Sequence, residues 1–72
     1  MIKEGDTVRF VRTIIDDRSD YHIAGTEAVV VDVLGSEGDC IVEVAVPDRS
    51  LVGGLFYTTA ELKAKDYECQ PP

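Results

Sequence analysis

Hydrophobic and polar positions alternate with a period close to two through most of the chain, and no stretch repeats them with the period of a helix. Thr7-Val8-Arg9-Phe10-Val11-Arg12 predicts a half-buried strand with Val8 and Phe10 inward, entered through a Gly5-Asp6 turn. Ala28-Val29-Val30-Val31-Asp32-Val33-Leu34 is dense in β-branched residues, which predicts strand over helix, with Val29, Val31 and Val33 on one face and Asp32 on the other. Gly35-Ser36-Glu37-Gly38-Asp39 is a turn cluster leading into Cys40-Ile41-Val42-Glu43-Val44-Ala45-Val46, where Val42 and Val44 face away from Glu43, so the two runs form a hairpin. Pro47-Asp48 closes it, because proline has no amide to donate to a ladder.

Gly53-Gly54 precedes a fourth strand, Leu55-Phe56-Tyr57-Thr58. Thr58-Thr59-Ala60-Glu61 then has the spacing of a capping box, predicting one short helical or 3₁₀ turn that carries Leu62. Tyr67-Glu68-Cys69 adds a fifth strand, and residues 70–72 are expected to fray. Between Asp16 and Gly25 the polar run Asp16, Asp17, Ser19 and Asp20 has no helical period and reads as a long loop. Strands this short bury an apolar face by closing on themselves, so residues 1–72 are expected to form a single all-β domain, a small five-stranded barrel with one short helical turn before the last strand. Its expected core is Val8, Phe10, Val29, Val31, Val33, Val42, Val44, Phe56 and Leu62, with Cys40 as a small neighbour.

The order of strands, loop and turns resembles the SH3-like small barrels, whose recurrent marks are a Gly-Asp before the first strand and a Gly-Thr before the second. Gly5-Asp6-Thr7-Val8 and Gly25-Thr26-Glu27-Ala28-Val29-Val30 match them. The chain is similar to small bacterial barrels of unknown function that resemble KOW modules and open their second strand with Gly-x-x-Gly-x-Val, with Ala28 in place of the second glycine. Thr58-Thr59-Ala60-Glu61-Leu62 also resembles a segment of the SH3-like accessory subunit of photosystem I and of the variable chain of ferredoxin-thioredoxin reductase, which are non-catalytic docking subunits. The resemblance implies fold over roughly residues 5 to 65, and a binding or accessory role more than a reaction.

Charge narrows the classes of function. Fourteen acids against seven Lys plus Arg give a net charge of -7, which repels phosphate backbones and anionic lipid. Nucleic acid, the partner a KOW likeness implies, is therefore the alternative reading. Lys3, Arg9, Arg12, Arg18, Arg49, Lys63 and Lys65 are interleaved with twice as many acids and flank no stacking platform. Cys40 and Cys69 form no CxxC pair and no disulfide framework, which suits reduced thiols and a cytoplasmic setting. The polar start of the chain lacks the apolar run of an export signal, and no apolar stretch approaches the roughly 20 residues of a membrane span.

Chemistry-bearing residues are sparse. Asp16, Asp17, Asp20 and His22 crowd the long loop but match no metal-ligand spacing, so neither metal nor cofactor is expected. His22 with Cys40 lacks an orienting third group, and the acid pairs Glu61 with Asp66 and Asp39 with Glu43 have no cleft to work in; no enzymatic activity is expected. What remains is a protein-binding surface on the loop from Asp16 to Ala24 and the outer sheet face, with Ile15, Tyr21, His22, Ile23 and Tyr57 as contact residues. Strict alternation also turns Val30, Ile41 and Ala45 outward, an apolar patch suited to self-association as a homodimer or other homo-oligomer.

Overall fold

In a computed structural model that describes residues 1–47, 50 and 53–70, the chain is all-β. Its strands are β1 (Thr7–Phe10), β2 (Ile14–Ile15), β3 (Tyr21–His22), β4 (Glu27–Val33), β5 (Cys40–Pro47), β6 (Leu55–Leu62) and β7 (Tyr67–Cys69), with a 3₁₀ turn at Ala64–Asp66. A five-stranded antiparallel sheet runs in the order β6-β5-β4-β1-β7, and β2 and β3 form a separate two-stranded hairpin. The all-β class and the 3₁₀ turn before the last strand match the sequence pattern. Asp48, Arg49, Pro71 and Pro72 lie outside the described residues.

The core lies on one face of the large sheet. Val8 and Phe10 from β1, Ala28 and Val30 from β4, Cys40, Val42 and Val44 from β5, and Ala60 and Leu62 from β6 are buried there, joined by Ile2 and Ile14. Val29 and Val31, expected inside, are 43% and 40% exposed, while Val30, expected outside, is 1% exposed. A bulge causes the reversal. Val30 pairs with Val42 and Asp32 with Ile41, so Val31 is an extra residue on β4, and the alternation changes phase across it. Asp32 outward and Val33 against the core are therefore as expected, whereas residues before the bulge face the opposite way. The apolar patch of Val30, Ile41 and Ala45 does not exist as a surface, because Val30 belongs to the core and Ile41 is half-buried.

Two other expectations change. Thr58, Ala60 and Leu62 face inward opposite Val44, Val42 and Cys40, so strand pairing overrides the capping-box spacing and β6 continues to Leu62. The 3₁₀ turn follows at Ala64–Asp66, where the Asp66 carboxylate accepts from the Lys63 amide at 2.8 Å. Gln70 is held rather than frayed: its amide donates to the Thr7 carbonyl at 2.9 Å and its side-chain oxygen accepts from Arg9 at 3.4 Å. No helix among the described residues is long and apolar enough to cross a membrane.

Candidate functional site

The segment read as a loop from Asp16 to Ala24 begins in a tight hairpin. Ile14 pairs with His22 and Ile15 with Tyr21, so Ile14 and His22 point inward while Ile15 and Tyr21 point out. Asp16 builds the connection. One of its carboxylate oxygens accepts from the amides of Arg18 at 2.8 Å and Asp20 at 3.0 Å, and the other contacts His22 Nε2 at 2.6 Å. Backbone bonds from Asp16 N to Asp20 O and from Ser19 N to Asp16 O complete the turn, with Ser19 in the left-handed region at a φ of 70°.

Burial pushes the Asp16 carboxyl up, but the His22 bond, the Asp20 and Arg18 amides and the His22 charge together outweigh it and hold the group below its ordinary value of 3.8. Asp16 is thus ionised at neutral pH, and His22 Nε2–H donates to it. His22 also lies edge-on to Phe10, with ring centroids 6.3 Å apart, so the pair ties the underside of the hairpin to the core.

The turn is docked to the open edge of β6. Asp17 donates its amide to the Thr59 carbonyl at 2.9 Å and accepts from the Thr59 hydroxyl at 2.5 Å, and the Arg18 guanidinium sits 4.4 Å from the centre of the Phe56 ring. The outer side of the hairpin carries the most exposed large apolar groups of the described residues after Met1: Tyr21 and Ile23 at 72%, with Ile15 at 57% across from Tyr21. Of the expected contact residues, His22 is buried and unavailable, and Tyr57 is exposed on a different surface, the outer face of β6 opposite Ala45.

Cys40 is fully buried, and burial pushes its thiol up; the Tyr67 hydroxyl beside it donates to the Gly38 carbonyl at 2.6 Å and is itself pushed up to about 12 by burial. Both cysteines are free. Three of the four acids weighed as pairs are engaged with cations: Lys63 reaches Asp39 at 3.1 Å and Glu61 at 3.9 Å, and Arg12 reaches Asp66 at 3.5 Å, while Glu43 is exposed on the outer face of β5. Among the described residues no group of three or more His, Cys, Asp or Glu side chains is placed to hold a metal ion.

Sequence reasoning missed the inward turn of His22 and the structural work of Asp16. The available signal was the polar run Asp16 to Asp20 set between two apolar-containing pairs, Ile14-Ile15 and Tyr21-His22, which is the composition of a short hairpin. No family model, curated protein or solved structure matches the chain.

Proposed function

We infer that this chain is a non-enzymatic protein-binding or accessory module of the SH3-like small-barrel kind, and that it docks a protein partner through its β2–β3 hairpin. The observation that carries this reading is the cross-strand pair Ile15 and Tyr21, extended by Ile23, held out to solvent by a hairpin whose other side is fixed by the buried Asp16 and His22. Exposed apolar groups on an ordered support lose little entropy on binding, which suits a contact surface. The bonds from Asp17 to the edge of β6 support a barrel-like closure of the sheet by the hairpin.

A basic partner surface fits the net charge of -7, with an association rate that falls as salt rises, and the two free thiols fit a reduced, cytoplasmic setting. A phosphate-bearing partner fits that charge poorly. The double variant Ile15→Ser, Ile23→Ser tests the reading, since both positions are exposed and the fold should survive. Proteins retained by the wild-type chain in affinity capture should be lost with the variant; retention of the same set by both would count against the hairpin.

A further inference from the structure

We propose that the outer face of the five-stranded sheet is a second docking surface, for a cationic polypeptide segment in which Lys or Arg alternates with apolar residues; this rests on the reading of the chain as a protein-binding module. The registers set out that face row by row. Glu68, Arg9 and Glu27 form one cross-strand row, Thr7, Val29, Glu43 and Thr59 the next, and Asp32, Ile41 and Glu61 a third. Five acids therefore share the face with one arginine, and Lys63 reaches it only at Glu61. The face also exposes apolar surface, Val29 at 43% between the acid rows and Tyr57 at 62% beside them on the edge strand β6, with Val31 lifted out at the bulge.

Acid rows set around apolar groups complement a segment that brings cations to the rim and apolar side chains to the middle. The same charge argues against a second copy of this chain, which would oppose acid to acid, and against a phosphate polymer.

The test is an amide chemical-shift titration of the full chain with a synthetic peptide made only of Lys and Leu, beside an oligolysine of equal charge. Saturable shifts are expected at Val29, Glu43 and Tyr57, with the Lys/Leu peptide binding more tightly than oligolysine. Glu43→Lys should weaken binding about tenfold, while Glu37→Lys, the same change of net charge in the exposed turn, should alter it less than about twofold. If Glu43→Lys disturbs the sheet, Glu61→Lys gives the same comparison one row along. Equal weakening by both charge reversals, equal binding of oligolysine, or no binding would overturn the proposal. Shifts confined to Ile15, Tyr21 and Ile23 would overturn it while keeping the hairpin as the docking site.

Discussion

At the scale of single residues, the stability of the hairpin rests on a buried carboxylate. Asp16 accepts three hydrogen bonds, and removing it leaves His22 and two turn amides without their acceptor. Asp16→Ala is expected to cost about 2 to 3 kcal/mol, measured by urea unfolding at neutral pH. Because the native pKa of Asp16 is lowered, its contribution is present above 3.8 and is lost as pH falls through the lowered native value. Unfolding free energy should therefore fall less steeply below pH 3.8 in Asp16→Ala than in the wild type, and identical slopes would contradict the assigned role. The direction of His22 was not legible in the sequence, because a strand of two residues is too short to show a period, and only its pairing with Ile14 sets which side is inward.

At the scale of elements, pattern identified the long strands, and tertiary pairing set their phase and length. The alternation in β4 reads correctly at Asp32 and Val33 and fails before them, since a bulge leaves no mark in a run of consecutive valines. Val30→Ala should cost about 2 kcal/mol and Val29→Ala less than about 0.5 kcal/mol, as judged by chemical denaturation. A larger loss at Val29 would place the bulge elsewhere. Gly38 supplies a second test in the turn between β4 and β5. Its φ of +93° disfavours any side chain, and a Cβ there would lie 2.8 Å from the Ala64 Cβ and 3.2 Å from the Tyr67 hydroxyl oxygen. Gly38→Ala should destabilise the chain by about 2 kcal/mol or more, with thermal unfolding as the readout, whereas Gly35→Ala meets no neighbouring atom within 4 Å and should cost only the backbone strain.

For the whole molecule, the hairpin and the sheet are one structure because the hairpin turn closes onto the edge that β6 leaves open. An edge strand exposes unpaired backbone groups, and the Asp17 amide satisfies one of them at Thr59. This contact was not legible in the sequence: Asp17 and Thr59 stand 42 residues apart, and no local signal joins them. The all-β class was legible, because period-two alternation and turn residues recur along the chain. The most direct test of the hairpin as the partner surface is site-specific photo-cross-linking, with the reactive group placed at Tyr21 in one preparation and at Glu37 in another. A discrete adduct with a second, different protein is expected from position 21 and none from position 37; no adduct from position 21, or the same adducts from both, would rule out the hairpin as the partner surface.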